Sequence, residues 1–162
     1  MRVLYFHQYF TTPTFGGGTR SYEMATELIR QGHAVTMVCG ESVKLNLPTQ
    51  KKNISRGNVD AIDVIQIALS YSNKDSLLIR AISFIRFAIQ GIQIALKEKY
   101  DIIFATSTPL TVGIPGIAAK IFRKKIFIFE VRDLWPELPK ALGLKNPLVL
   151  EFLDMAEDAA YS

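Results

Sequence analysis

The sequence predicts an α/β fold built on a doubly wound, mostly parallel Rossmann-like sheet. Three observations carry that expectation. Short apolar runs alternate with stretches of helical period, the signature of successive βαβ units. The run at 125–131 is apolar almost throughout, as a strand covered on both faces requires. The residues with the most chemistry follow the first, fourth and fifth runs, where a sheet of order 3-2-1-4-5 opens its crevice.

The first strand is expected at 2–6, followed by a loop at 8–18 and a helix over 19–31. Tyr22, Ala25, Ile29 and Gly32 fall at helical spacing, and Gly32 is a natural helix stop. The second strand spans 34–38. The stretch 41–58 is polar and broken by Pro48 and Gly57, so it reads as loop with room for a short hairpin. A third strand at 62–67 precedes a long helix over 76–99, then a fourth strand at 101–105 and a helix at 110–122. Within that last helix, Gly113 and Gly116 lower helix propensity and are expected to let it pack closely on the sheet. The fifth strand, 125–131, leads to a final helix over 147–161.

Composition narrows the function classes. The charge of +4 is a mild excess that suits an anionic ligand or membrane surface and is too small to argue for nucleic acid. Neither zinc-ligand spacing nor an aromatic RNA-binding signature is present, and no metal site is expected. Cys39, the single cysteine, follows an apolar strand and reads as a buried thiol rather than a nucleophile. The N-terminal run is too short for a signal peptide, which gives a cytoplasmic expectation. The long helix is apolar enough to mimic a membrane span. Each central arginine, Arg80 and Arg86, would cost about 2.5–3.5 kcal/mol to insert, which argues against spanning.

Three loops carry the candidate chemistry. After the first strand comes His7-Gln8-Tyr9-Phe10 and then Gly16-Gly17-Gly18-Thr19-Arg20. Three glycines let the backbone approach a ligand and turn into a helix, whose free N–H groups form an anion site. Arg20 in the first turn opposes the helix dipole, which makes sense if an anion faces it. The other reading is a mobile loop with Arg20 paired to Glu23. His7, at the strand end, is a structural or a catalytic histidine. His33 lies on the opposite edge and has no assigned role. After the fourth strand, Thr106-Ser107-Thr108-Pro109 enters a helix; these hydroxyls cap it or meet a sugar or phosphate oxygen. After the fifth comes Glu130-Val131-Arg132-Asp133-Leu134-Trp135-Pro136-Glu137. Asp133 can polarise a hydroxyl, Arg132 can hold a phosphate, and Trp135 can stack on a sugar ring. An Arg132–Asp133 ion pair with a packed Trp135 is the competing account.

Together these stretches, with Gly32-His33-Ala34-Val35-Thr36 and Ala105-Thr106-Ser107-Thr108-Pro109-Leu110, resemble glycosyltransferase family 4. The likeness is greatest to the bacterial surface-polysaccharide branch that includes N-acetyl-fucosamine transferase-like proteins. The resemblance implies the N-terminal half of a GT-B fold, with no essential metal or cofactor and retention of anomeric configuration. It implies donor contacts from Gly16, Gly17, Gly18, Arg20 and Arg132. It places Asp133 and His7 at the reaction centre, and Tyr9, Ser107, Thr108, Trp135 and Glu137 on the substrate side. The implied partners are a nucleotide-sugar donor, a sugar or lipid-linked acceptor, and the chain's own C-terminal domain. That second domain is not reached by Ser162, so residues 1–162 alone are expected to fold but not to transfer sugar. Two other classes compete. A nicotinamide-dependent enzyme or sugar-nucleotide epimerase would want G-x-G-x-x-G directly after the first strand, which is absent. A flavodoxin-like binding module without catalysis would need none of these contacts.

The long helix adds one more expectation. Its polar residues Ser83, Arg86, Gln90, Gln93 and Lys97 occupy a stripe of roughly 80° at helical spacing, and the rest is almost wholly apolar. A helix lying on a sheet needs an apolar stripe of only ~100° or somewhat more. The surplus is expected to meet a membrane surface, at the inner face of the plasma membrane, or to be buried by neighbouring helices or another domain.

Overall fold

The computed structural model describes residues 1–41, 43–69, 77–107 and 109–132. Its elements are β1 (Arg2–Phe6), α1 (Arg20–Arg30), β2 (Ala34–Gly40), β3 (Thr49–Lys51), β4 (Ile54–Val59), β5 (Ile62–Ile67), α2 (Leu77–Lys97), β6 (Ile102–Thr106), α3 (Ile114–Arg123) and β7 (Ile126–Glu130). They form one seven-stranded sheet of order β3-β4-β5-β2-β1-β6-β7. The five crossover strands β5-β2-β1-β6-β7 pair in parallel in the order the sequence predicts.

Strand alternation divides the core into two layers. Val3 and Tyr5 of β1 face one side with Val35, Met37, Ile62 and Val64, under Ala25, Tyr22 and Leu28 of α1. Leu4 and Phe6 face the other side with Val38, Ile65, Ile67 and Ile103, beneath Phe87, Ile94 and Ala95 of α2 and Ala119 of α3. Gly116 brings α3 so close to the sheet that a Cβ there would lie 2.1 Å from the Phe127 ring. The close-packing expectation for that glycine is therefore met.

α1 ends where its glycine directs. Gly32, at φ +83, donates to Ile29 O at 2.9 Å, and His33 donates to Leu28 O at 3.0 Å. This is the Schellman arrangement, which satisfies the last carbonyls of the helix.

Four expectations need correction. Within the polar stretch 41–58 the short hairpin is present, with residues 49–51 forming β3 and β4 beginning at Ile54, but β4 is a full strand antiparallel to β5 where loop was expected. Its polar residues are tolerated because β4, next to the edge strand β3, is only half-buried. The β4–β5 turn puts Asp60 and Ala61 at φ +48 and +69, the pairing of a type I′ hairpin. The second strand continues to Gly40, which pairs with Ile67. The helix expected at 110–122 opens as a 3₁₀ turn, Leu110–Gly113, before α3 begins. Finally, β7 is covered on one face only among the described residues. Phe127 and Phe129 pack on the core, whereas Ile126 and Ile128 are exposed. The helix expected over 147–161 lies outside the described residues.

Candidate functional site

The carboxyl ends of β1, β6 and β7 lie side by side, because β1 pairs with β6 and β6 with β7. Each strand delivers polar groups at that edge. β1 ends into His7, β6 carries Thr106 and Ser107 at its end, and β7 ends on Glu130 with Arg132 just beyond. α1 starts at the same edge with Arg20.

A buried hydrogen-bond relay joins these elements. The Thr106 hydroxyl donates to Glu130 Oε2 at 2.8 Å, because a carboxylate can only accept. The Tyr5 hydroxyl, 2.9 Å from Thr106 Oγ1, must then be the donor in that pair. Arg20 completes the relay through an ion pair to Glu130 Oε1 at 2.5 Å. Burial, with the Glu130 carboxylate adding to it, pushes the Tyr5 phenol up to about 12, so it remains a donor. Arg20 thus has a carboxylate from β7 as its anion rather than Glu23, whose Oε1 instead accepts from Thr19 Oγ1 at 2.6 Å.

His7 is almost fully buried, with Nδ1 2.6 Å from Ser21 Oγ in the first turn of α1. Burial, and then the positive charge of Arg132, lowers its pKa to about 4. The ring is neutral at pH 7 and serves as a hydrogen-bonding group rather than a cation. Ser107 is fully buried, and its Oγ accepts from the Arg132 backbone N–H at 2.7 Å. Its backbone N–H also donates to Glu130 O at 2.8 Å. The Ser107 hydroxyl therefore anchors the exit of β7. The helical turn that follows has no side-chain cap.

The loop from His7 to Thr19 folds back on itself. Thr11 Oγ1 donates to Gly16 O at 3.1 Å, and Gly16 and Gly17 adopt φ of +74 and +92, where a side chain would strain the backbone. A Cβ at Gly16 or Gly18 would meet nothing within 4 Å, so the outer side of the turn is open. No side chain caps the α1 N-terminus, which leaves the anion-binding polarity of its first turn available. Tyr9 lies half-buried in this loop.

The edge thus gathers the Arg20 guanidinium, the Glu130 carboxylate and the buried, neutral His7 imidazole beside an open glycine turn, with Arg132 close enough to His7 to lower its pKa. That balance favours an anion with room for several hydrogen bonds. Asp133, Trp135, Glu137 and Thr108 lie outside the described residues. Tyr5, Ser21 and Glu130 were not singled out from the sequence as site residues, and Thr106 was offered only as a cap or a sugar or phosphate contact. The one sequence signal for Glu130 is a carboxylate closing an apolar strand. Gln8 adds a buried Oε1 with no hydrogen-bond partner among the described residues. Cys39 is fully buried, and burial pushes its thiol pKa up, away from nucleophilic chemistry. Among the described residues no three His, Cys, Asp or Glu side chains gather as a metal would need.

An α/β architecture with a mostly parallel seven-stranded sheet and its polar edge at the strand carboxyl ends is that of one half of a GT-B protein. A solved E. coli structure described as trehalose-6-phosphate bound with UDP-2-fluoro glucose is similar to it. The likeness covers 99% of this chain with a TM-score of 0.53 and 13% sequence identity, a likeness of fold. The chain spans 38% of the length of that structure's chain. No family model matches the sequence, and no curated protein matches it.

Proposed function

We propose that this chain is the N-terminal, acceptor-side domain of a retaining glycosyltransferase that uses a nucleotide-sugar donor. The observation that carries the reading is the crevice edge, where Arg20 and the uncapped α1 N-terminus adjoin the open turn at Gly16-Gly17-Gly18 and Arg132 lies close to His7. A diphosphate is the anion such an edge suits: it is multiply charged and accepts hydrogen bonds along its length. The fold likeness to a structure holding UDP-2-fluoro glucose supports the same reading.

In the proposed reaction an acceptor hydroxyl oxygen forms a bond to the anomeric carbon of the donor sugar. The bond from that carbon to the diphosphate breaks, and the nucleoside diphosphate departs with the electron pair. The acceptor proton leaves with it or passes to a nearby base. Arg20 and Arg132 would stabilise the negative charge that grows on the leaving group. His7, neutral at pH 7, would hold a sugar hydroxyl by hydrogen bonding. Asp133 would orient the acceptor, with Tyr9, Trp135, Glu137 and Thr108 completing the sugar contacts, and a separate C-terminal domain would hold most of the donor. No metal or cofactor enters this scheme. A cytoplasmic setting and a polysaccharide or lipid-linked acceptor belong to the same proposal.

Titrating the chain with UDP, followed by backbone amide NMR, tests it. UDP should shift the amides of residues 16–21, while NAD and FMN should not. Arg20→Ala and Gly17→Val should weaken that binding about tenfold or more without loss of folded signal, since a charged hydrogen bond contributes about 1.5–3 kcal/mol. FMN shifting these amides instead of UDP would favour a flavodoxin-like module and overturn the proposal.

A further inference from the structure

We propose that the cleft between α2 and the β3–β4 hairpin is a second ligand site, suited to a short hydroxycarboxylate and separate from the crevice. Gln90, Gln93 and Lys97 fall within roughly 60° of one another at helical spacing, as part of the polar stripe of α2. On most helices such a stripe faces water alone. Here it faces the hairpin, and the two enclose a cavity of about 110 Å³. None of the residues lining it belongs to the crevice edge, and β5 and β2 separate β4 from β1 in the sheet.

Three chemistries meet in the lining. The floor is aliphatic: Ile65 of β5 and Ile94 of α2 are buried, and Ile54 of β4 packs against the same core. Gln90, half-buried, also lines the cavity, and its Oε1 is buried without a hydrogen-bond donor among the described residues. The rim is cationic. Lys51 and Lys97 are exposed there, and neither has a carboxylate partner among the described residues. Arg56 lines one wall but is already committed. Its guanidinium donates to Asp63 at 2.7 and 3.0 Å and to Glu98 at 2.9 and 3.3 Å. Glu98 is thereby answered, and the two ammonium groups remain as the uncompensated charge of the cavity.

Each feature selects one part of a ligand. Two ammonium groups without partners favour an anion. A buried acceptor without a donor is costly, and a ligand O–H or N–H answers it. A ligand ammonium would be repelled by Lys51 and Lys97, so the donor is a hydroxyl. The isoleucine floor favours carbon over water. Size sets the limit: a cavity of about 150 Å³ takes a benzene ring, so this one takes about five or six heavy atoms. A two- or three-carbon hydroxycarboxylate has these parts at that size, with its carboxylate at the lysines, its hydroxyl at Gln90 and its carbon over the isoleucines. Inorganic phosphate has the charge but no carbon for the floor. Water would satisfy Gln90 and leave both the floor and the lysines unmatched.

Titrating the chain with L-lactate, followed by backbone and side-chain amide NMR, tests the proposal. Lactate should bind saturably and shift the Gln90 side-chain amide and the backbone amides of residues 50–54 and 90–97, leaving those of 16–21 unmoved. Propionate, the same carboxylate without the hydroxyl, should bind about fivefold more weakly, as should lactate to Gln90→Leu. Lys51→Ala with Lys97→Ala should weaken lactate about tenfold at low salt, and the difference should shrink as salt rises. Both lysines are exposed, so this second variant should stay folded even where Gln90→Leu does not, with an amide spectrum matching the parent's away from the cleft. Four results would each overturn the proposal: no saturable binding of lactate, equal affinity for lactate and propionate, inorganic phosphate binding as tightly as lactate, or lactate affinity unchanged in the lysine variant.

Discussion

Replacing Glu130 by Gln probes the crevice at its most connected point. Both carboxylate oxygens are in use: Oε1 takes the Arg20 guanidinium and Oε2 takes the Thr106 hydroxyl, which itself receives Tyr5. A glutamine offers one acceptor and one amide donor. If its oxygen turns to Arg20, its N–H₂ faces Thr106 and the relay must reverse, leaving the Tyr5 hydroxyl proton without its acceptor. The Arg20 side chain is 61% exposed, so solvent screening reduces the ion pair to about 0.5–1 kcal/mol. The compromised relay, buried at Tyr5 and Thr106, adds about 1 kcal/mol. Folding stability should therefore fall by about 1.5–2 kcal/mol, read as a lower urea midpoint with an unchanged slope. Anion binding should move the other way. Glu130→Gln frees Arg20 and removes a negative charge near the glycine turn, which at a separation of roughly 8 Å and an effective dielectric near 40 contributes about 1 kcal/mol. UDP should bind roughly fivefold more tightly, measured by titration calorimetry, with the gain shrinking as salt rises. Weaker UDP binding in a folded Glu130→Gln protein would refute this account and make the carboxylate a direct ligand contact.

Two further outcomes follow from the packing and the protonation of the core. His7 has a folded pKa of about 4, below its ordinary value near 6.5, so the unfolded chain binds a proton that the folded one refuses as pH falls. Stability should drop by about 1.5 kcal/mol from pH 6.5 to 5, and His7→Gln should flatten that part of the urea-midpoint profile; an unchanged slope would place its cause elsewhere. Gly116→Ala would drive a methyl into the Phe127 ring, where the nearest carbon is 2.1 Å away, and should lower stability by about 1–3 kcal/mol. A thermal midpoint equal to the parent's would show that α3 can lift from the sheet freely.

The sheet order and the crevice edge were legible because they rest on periodicity and strand ends. Period-2 and period-3.6 patterns locate β1, β2, β5, β6 and β7 almost to the residue, and the doubly wound rule then places His7, Ser107 and Arg132 together. The stretch 41–58 left room for a short hairpin, but β4 as a full strand paired to β5 was not legible. Its residues are polar, and β4 joins β5 through Asp60-Ala61, which lacks the glycine that usually marks a two-residue turn. Tyr22 of α1 holds that turn through Asp60 Oδ2 at 2.9 Å, a tertiary contact with no local sequence sign. The Arg20–Glu130 pair escaped for a similar reason. Local spacing offers Glu23 as a partner, and only the neighbouring positions of α1 and β7 make Glu130 the one chosen. The exposed face of β7 departs from expectation because an apolar run reports hydrophobicity on both faces. Whether both faces are covered depends on elements far along the chain.

The Arg20–Glu130 contact also resolves an apparent conflict in the sequence. A cation in the first turn of α1 opposes the positive end of the helix dipole and should destabilise that turn. The β7 carboxylate offsets the unfavourable placement by lying where a bound anion would otherwise be. A diphosphate bound as proposed at the glycine turn would meet a guanidinium that is already engaged, and the arginine would have to share or exchange its partner. Sharing leaves Glu130 as a negative neighbour that weakens binding; exchange releases it to solvent. In either case affinity is held below what two arginines and a helix N-terminus could provide. Under the proposed function that restraint would favour release of the nucleoside diphosphate after each transfer, because a product bound too tightly would limit turnover.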